Sequence, residues 1–233
     1  MILTAHQSTY LSWLGLFDKI ARADKFCIFD DVQLERHGFE NRNKIKTANG
    51  PQWLTVPIQM KGHTSRPARE VLICNDSSWA RKHLRSIELA YQKAPYFDLY
   101  FPSLKEIYAR EWTTLVGLNT ALLKFFLNAL DIRVELVTAS EQGFKGSKSD
   151  LVLDMCKSLG ATEYIFGAQG KDYADVQAFE DAGIKVHFQD FRHPVYNQLH
   201  GEFVPNMSAI DLLMNCGPEF SRILVGELKV VNG

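Results

Sequence analysis

A strand, a helix and a second strand follow one another within residues 2–29, and this succession constrains the fold more than any other feature of the sequence. One apolar run ends at His6, apolar residues then recur at helical spacing over residues 10–23, and a second apolar run leads into Asp30. Two strands joined by a helix in so few residues form a βαβ unit, which closes on a parallel sheet with a right-handed crossover. Ligands of such sheets collect beyond the carboxyl ends of the strands.

His6 and Asp30 stand at those carboxyl ends, and we predict that they are the catalytic residues. His6 lies at the strand-to-helix turn, where a substrate meets the first free backbone amides of a helix. Asp30 is placed to hold a ribose hydroxyl, a substrate amine or Mg²⁺. The alternative for His6 is a hydrogen-bonded structural histidine. Gln7 and Tyr10, from the same stretch, are predicted to bind substrate.

The later part of the chain again alternates between strands and helices. Strands are predicted at residues 133–137, 163–166 and 185–188, and helices at residues 147–159 and 173–182. This alternation predicts an α/β fold with a mostly parallel, wound sheet of the Rossmann-like kind. Residues 77–130 interrupt the alternation with two predicted helices, the second over residues 103–130. We therefore predict a single α/β domain, residues 1–233, with a helical insertion.

Composition excludes several classes of protein. The 26 basic and 27 acidic side chains leave a net charge of −1, which argues against a nucleic-acid-binding surface. The four cysteines form no CxxC pair, so we expect no metal site and reduced, buried thiols. The N-terminus lacks the pattern of a signal peptide, and no apolar run reaches the roughly 18 residues of a membrane span. We expect a cytoplasmic protein without membrane insertion.

Two polar segments supply candidate anion-binding residues. Residues 41–46 include Asn41, Arg42 and Lys44, which suit a phosphate or a carboxylate better than a hydrophobic ligand. A solvated, charged loop is the alternative there. Residues 143–149 include Ser147 and Lys148 at the start of a predicted helix, where glycines, lysines and hydroxyls favour phosphate binding. A plain helix cap explains Ser147 equally well, and the GxxxxGK[ST] spacing is absent.

Further candidates come from the C-terminal region and from one loop. His193 follows the last predicted strand, and Asp211 and Asn215 lie four residues apart on a predicted helix, so they share a face. If that face points to the ligand edge of the sheet, the pair can bind substrate; if it points outward, both are ordinary surface residues. Residues 60–69 carry three lysine or arginine side chains and one histidine, and are predicted to form a mobile loop that closes on the substrate or is merely solvated.

Several segments in a fixed order resemble the WbqC-like proteins, a family known largely from bacterial surface-polysaccharide gene clusters. The resemblance covers most of the chain. The matching segments are HQSTYLSWLGLFDKI (6–20), FDDVQ (29–33), NRNKIK (41–46), WLTVPI (53–58), SKSDLVLDMC (147–156), YIFG (164–167), FRHPVYNQ (191–198) and MSAIDLLMNCG (207–217).

The resemblance implies an acyl or aminoacyl transferase or ligase that places an acid such as glycine on the amine of a nucleotide-linked amino sugar. Its partners are then the sugar nucleotide and a small carboxylic or amino acid donor, with ATP as a cofactor if the acid is activated as an acyl adenylate. The opening is also similar to that of the HxGH nucleotidylyltransferases and pantothenate synthetase. The second histidine of that motif is missing, since Leu16 and Phe17 follow Gly15. The alternative is a non-catalytic nucleotide-sugar-binding or scaffold protein of polysaccharide assembly.

Overall fold

The computed structural model describes residues 1–34, 38–59, 66–220 and 224. The strands are β1 (Ile2–His6), β2 (Lys25–Ile28), β3 (Arg42–Thr47), β4 (Gly50–Thr55), β5 (Glu135–Thr138), β6 (Glu163–Phe166) and β7 (Lys185–Phe188). The α-helices are α1 (Leu14–Ala21), α2 (Trp79–Tyr91), α3 (Phe97–Ala109), α4 (Leu115–Ala129), α5 (Lys148–Leu159), α6 (Val176–Asp181) and α7 (Ala209–Cys216).

Five strands form one parallel sheet in the order β5, β2, β1, β6, β7. The chain builds outward from β1 through β2 to β5, and then returns to the other side of β1 with β6 and β7. The predicted α/β fold with a wound, Rossmann-like parallel sheet is therefore confirmed. Because the chain reverses direction across the sheet at β1 and β6, the carboxyl ends of these two strands form its topological switch point.

Both faces of the sheet are covered by apolar clusters, because successive side chains of a strand point to opposite faces. Leu3, Ala5 and Cys27 pack in a cluster that includes buried residues of α5 and α6. Phe26 and Ile28 pack in a larger cluster with buried residues of α1, α2, α3, α4 and α7. The switch point lies where the α1 face and the α5–α6 face meet.

Residues 41–46, for which a solvated, charged loop was the alternative to an anion-binding segment, lie almost entirely in strand β3. β3 pairs with β4 in an antiparallel hairpin, with Lys44 opposite Trp53. The alternation of buried Ile45 with partly exposed Lys44 is the pattern of a strand with one face on the core, and Ile45 belongs to the larger apolar cluster. The partner strand β4 begins at Gly50 and ends at Thr55, so Trp53 lies within it.

The prediction of one helix over residues 103–130 is wrong, and three helices fill the insertion. The chain leaves the helical path between α3 and α4, where residues 113–115 exchange backbone hydrogen bonds with residues 71–73. Thr114 then caps α4, because its side chain accepts a hydrogen bond from the Gly117 backbone N–H. This cap and these hydrogen bonds satisfy backbone N–H and C=O groups that have no partner within a helix where α3 ends and α4 begins.

Smaller differences concern the ends of elements. α1 begins at Leu14 instead of residue 10, because the preceding residues form a turn in which Leu11 has φ 45° and the hydroxyls of Thr9 and Ser12 are hydrogen-bonded. Residues 60–65 of the predicted mobile loop lie outside the described residues. Ala68–Glu70 form a short 3-10 helix.

Candidate functional site

The switch point between β1 and β6 is the candidate functional site. His6 is the last residue of β1, and Gly167 follows the last residue of β6. The register pairs Thr4 with Ile165, so its continuation places Gly167 beside His6. At the switch point β1 therefore ends with an imidazole, beside which the first residue after β6 is a glycine without a side chain.

His6 is partly buried and electrically neutral. Its Nδ1 lies 2.8 Å from the carbonyl oxygen of Gln7, so Nδ1 carries the hydrogen and donates it. Its Nε2 has no hydrogen-bond partner within the described ranges. Burial, and then the positive charge of Lys19, lower the pKa of His6 to about 4, while the Gln7 carbonyl opposes the shift. At pH 7 the site therefore presents an imidazole lone pair that is free to accept a proton or a hydrogen bond.

Lys19 was missed by the sequence reasoning, which left it among the polar residues of α1. Its side chain is buried, with 3% of the residue exposed, and Nζ donates a hydrogen bond to the carbonyl oxygen of Ala5 at 3.0 Å. Burial lowers the pKa of Lys19 to about 8. The spacing of three from Leu16, which is also buried, was the signal that could have placed Lys19 on an inward face.

A series of aromatic rings leads away from His6. The Trp13 indole meets the His6 ring in a T-shaped contact at a centroid distance of 5.3 Å. Trp13 contacts Phe39 at a centroid distance of 5.4 Å, and Phe39 contacts Trp53 at 6.1 Å. Phe39 is 39% and Trp53 is 46% exposed, which is unusual for such large apolar side chains. We call Trp13, Phe39 and Trp53 the aromatic series.

Two of the predicted anion-binding residues stand at the outer end of the aromatic series. The guanidinium carbon of Arg42 lies 4.8 Å from the Trp53 ring centroid, and Nζ of Lys44 lies 5.5 Å from it. Both side chains point to the same face of the hairpin because they are two residues apart on β3. Asn41 has a different role, since its Nδ2 donates to the carbonyl oxygen of Val56.

Asp30 follows β2 at the same edge of the sheet, but its carboxylate is used within the protein. Oδ1 accepts from the backbone N–H of Ser140 at 2.9 Å, and Oδ2 accepts from the Ser140 hydroxyl at 2.6 Å. These bonds hold the turn after β5 against the end of β2. The contacts of Asp30 are therefore structural, and its catalytic role stays a prediction.

Ser147 and Lys148 lie at the outer end of the sheet, after β5, and both are exposed. β5 is two strands from β1, which corresponds to about 10 Å at the usual strand spacing. The Ser147 side chain makes no capping hydrogen bond to α5. No contact within the described part of the chain joins either residue to His6.

Gln7 and Tyr10, both in the connection between β1 and α1, differ in whether a ligand can reach them. The Gln7 amide donates to the carbonyl oxygen of Gln33 at 3.2 Å, and its Oε1 is buried without a partner among the described residues. Tyr10 is completely buried, and its hydroxyl is hydrogen-bonded to His83 and to Tyr108. Gln7 is thus open to a ligand, whereas Tyr10 belongs to the core.

His193 uses both ring nitrogens for backbone contacts. Nδ1 donates to the Pro194 carbonyl oxygen, and Nε2 accepts from the backbone N–H of Asn206. Burial lowers the pKa of His193. The ring therefore fixes the segment between β7 and α7 and has no nitrogen left for a ligand.

Asp211 and Asn215 share a face of α7 as predicted, and that face points into the protein. Asp211 is fully buried and accepts hydrogen bonds from Tyr91, Tyr196 and Gln198. Asn215 donates to the Asp211 carbonyl and accepts from the Leu199 backbone N–H. Asn215 also lines a cleft of about 460 Å³. The other residues that line this cleft belong to residues 95–96, 195–197 and 216–219, and none of them belongs to β1 or β6. The cleft is therefore not part of the switch-point site.

Two further observations concern the described residues as a whole. No helix within them is both long and apolar enough to cross a membrane. No group of three or more histidine, cysteine, aspartate or glutamate side chains within them is arranged to hold a metal ion.

Comparison of the sequence with known proteins identifies the family of this chain. The sequence pattern of the WbqC-like protein family matches residues 7–223. The chain is 38% identical over 215 residues to the uncharacterized protein Rv1507c of Mycobacterium tuberculosis (strain ATCC 25618 / H37Rv). The aligned region covers 91% of this chain and 93% of that protein. No solved structure matches. The family match spans nearly all of the chain, including His6's neighbour Gln7, Lys19 and the aromatic series, and the chain therefore belongs to the WbqC-like protein family.

Proposed function

We propose that the protein is a transferase or ligase that attaches an acyl or aminoacyl group, such as glycine, to the amine of a nucleotide-linked amino sugar in surface-polysaccharide synthesis. Membership of the WbqC-like family supplies the setting of this proposal. The observation that carries it is the neutral imidazole of His6, whose Nε2 is free of hydrogen bonds within the described chain at the switch point of the sheet. This is a position where a substrate amine can meet a proton acceptor.

In the proposed reaction the amine nitrogen of the sugar attacks the carbonyl carbon of the activated acid. A C–N bond forms, and the bond between the carbonyl carbon and its leaving group breaks, so the leaving group departs with the electron pair. Nε2 of His6 accepts the proton that the amine loses. If ATP activates the acid, the donor is an acyl adenylate and the leaving group is AMP.

The aromatic series and its two cations are proposed to hold the nucleotide. Trp53 offers an exposed indole on which a base can stack, and Arg42 and Lys44 stand against the same ring. The ring contacts run without interruption from Trp53 through Phe39 and Trp13 to His6. A ligand that follows this series has its base on the hairpin and its sugar amine near the imidazole.

The reaction is tested by incubating the protein with ATP, glycine and a dTDP-linked amino sugar and measuring the mass of the sugar nucleotide. We expect the mass increase of one glycyl amide, and its loss in His6→Ala. His187→Ala is the matched control, because His187 lies on β7 and its ring contacts only Glu163 among the ion pairs and hydrogen bonds of the described chain. No mass increase with glycine or with several other acids contradicts the proposal.

A non-catalytic nucleotide-sugar-binding or scaffold protein is the second candidate. The observation that favours it is the engagement of both Asp30 oxygens by Ser140, which leaves His6 without a described carboxylate partner for catalysis. This candidate predicts that the sugar nucleotide raises the melting temperature without any change of its mass. It also predicts that His6→Ala keeps the full thermal shift.

A further inference from the structure

One charged side chain is buried at the switch point without a counter-charge from any described residue. Nζ of Lys19 forms one hydrogen bond, to the carbonyl oxygen of Ala5, although an ammonium group has three hydrogens to donate. None of the ion pairs of the described residues includes Lys19. The adjacent carboxylate of Asp18 is engaged by Arg22 and by Gln189. Lysine is almost never buried to this degree unless a partner compensates its charge.

The surroundings of Lys19 leave space for such a partner. Apart from the two residues adjacent in the chain, a Cβ atom built on Gly167 would have within 4 Å, among the described residues, only Nζ of Lys19, at 3.9 Å. Gly167 is itself partly exposed. The volume above Gly167 is therefore open on the solvent side and is bordered on its inner side by the ammonium group.

A second polar atom of this region also has no partner. Oε1 of Gln7 is buried without a hydrogen bond among the described residues, and Gln7 directly follows His6. His6 itself is close enough to feel the charge of Lys19, which is the second largest cause of the fall in its pKa. Lys19 and His6 thus interact at the end of β1, and Gln7, whose Oε1 has no partner among the described residues, is the next residue along the chain.

We infer that Lys19 binds a phosphate group of the ligand in the space above Gly167. An anionic oxygen in this space accepts a further hydrogen bond from Nζ and neutralises the buried charge, which no described residue does. Phosphate is favoured over carboxylate because the switch point of a wound sheet is where the phosphates of nucleotides lie. The choice of phosphate rests on the proposed function; the anion site itself does not.

The inferred site also connects with His6. A bound phosphate offsets the positive charge of Lys19, which is one of the two causes that hold the pKa of His6 down. Binding of the nucleotide therefore makes the imidazole a stronger proton acceptor only when the substrate is in place.

The test is a calorimetric titration of the full-length protein with inorganic pyrophosphate, and in a separate arm with acetate. We expect wild-type protein to bind pyrophosphate more tightly than acetate, and Lys19→Met to weaken pyrophosphate binding about 10- to 100-fold. Lys157→Met is the matched control, since it removes the same charge from an exposed position in the last turn of α5. We expect wild-type affinity in this control.

Urea unfolding separates a binding role from a structural one. Removal of an uncompensated buried charge is expected to leave Lys19→Met as stable as wild type or more stable. Gly167→Ala provides a second test, because its added methyl group makes only an ordinary contact with Nζ and occupies the inferred phosphate position. We expect this variant to fold normally and to lose pyrophosphate affinity as well.

Three results would overturn the inference: wild-type pyrophosphate affinity in Lys19→Met, wild-type affinity in Gly167→Ala, or tighter binding of acetate than of pyrophosphate. If Lys19→Met does not fold, Gly167→Ala decides. Since no turnover is measured, failure of the transferase assay leaves this test intact, and failure of this test leaves the transferase assay intact.

Discussion

At the scale of single residues, the same side-chain chemistry serves opposite purposes in different surroundings. His6 and His193 both donate from Nδ1 to a neighbouring carbonyl, yet only Nε2 of His6 remains without a partner in the described structure. Lys19 and Asp211 are both buried charges, but Asp211 accepts three side-chain hydrogen bonds whereas Lys19 makes one. The degree to which the protein satisfies a polar group therefore separates candidate functional residues from structural ones.

Tyr10 is expected to act in the core, and Tyr10→Phe tests this. The substitution leaves the His83 Nδ1 and the Tyr108 hydroxyl without their shared partner in a buried site. We expect a loss of about 1–3 kcal/mol in the free energy of unfolding, measured in urea, with unchanged nucleotide affinity. A double-mutant cycle with Tyr108→Phe should show coupling between the two hydroxyls. Lost nucleotide affinity at wild-type stability would instead support the predicted substrate-binding role.

At the scale of elements, the β3–β4 hairpin converts a charged segment into a binding surface. The sequence composition of residues 41–46 alone favoured a solvated loop. Pairing with β4 sets the side chains of β3 alternately toward the core and toward the outer face, so that Arg42 and Lys44 meet the indole of Trp53 on one side. Cations of β3 and an aromatic ring of β4 thereby form one surface.

Trp53→Ala tests the hairpin surface. We expect dTDP affinity to fall about 10- to 100-fold, because a stacked base loses about 1–3 kcal/mol when its aromatic partner is truncated. Stability should change little, since Trp53 is 46% exposed. Leu99→Ala is the matched control, because it removes a large apolar side chain that is 58% exposed on α3. Equal dTDP affinity in both variants, measured by calorimetry, would place the base elsewhere.

At the scale of the whole molecule, stability depends on neutral histidines. Burial is the largest cause that lowers the pKa of both His6 and His83 to about 4, against a usual value of 6.5. Between these pH values the unfolded chain binds more protons than the folded protein, so the free energy of unfolding falls as the pH falls. The stabilising contribution is complete above pH 6.5 and is lost progressively toward pH 4.

Urea unfolding between pH 7 and pH 4.5 measures this acid sensitivity. The buried His83 alone is expected to contribute a slope of up to about 1.4 kcal/mol per pH unit. His83→Gln retains an acceptor for the Tyr10 hydroxyl but does not titrate, so its stability should vary less with pH than that of wild type. If the free energy of unfolding depends on pH equally in both proteins, groups other than His83 cause the loss of stability in acid.

The sequence by itself determined the parts of the fold that depend on local patterns. The βαβ opening, the parallel order of the later strands and the exit of His6 and Asp30 at one edge all follow from apolar periodicity and chain connectivity. The cap of α7 by Ser208 is local as well, and its side chain accepts from the Ile210 backbone N–H. Such features need no knowledge of distant contacts, because a residue and its near neighbours already decide them.

The prediction of one long helix over residues 103–130 is wrong because the backbone in the middle of this range pairs with a segment far away in sequence. Residues 113–115 pair with residues 71–73, and no periodicity within the helix reveals that partner. For strand β3 the partner is close in sequence, since its charged residues are ordered by pairing with β4 in a hairpin that turns between Thr47 and Gly50. Backbone partners brought together by the fold outweighed the local pattern in both places.

The burial of charge was decided only by the tertiary structure. Lys19 and Lys44 are the same residue type, but docking of α1 on the sheet buries Lys19 beneath Gly167, while the hairpin leaves Lys44 partly exposed beside Trp53. Asp211 similarly became a core acceptor because three donors from separate segments converge on it. Desolvation depends on everything packed around a group, and a sequence records only the group itself.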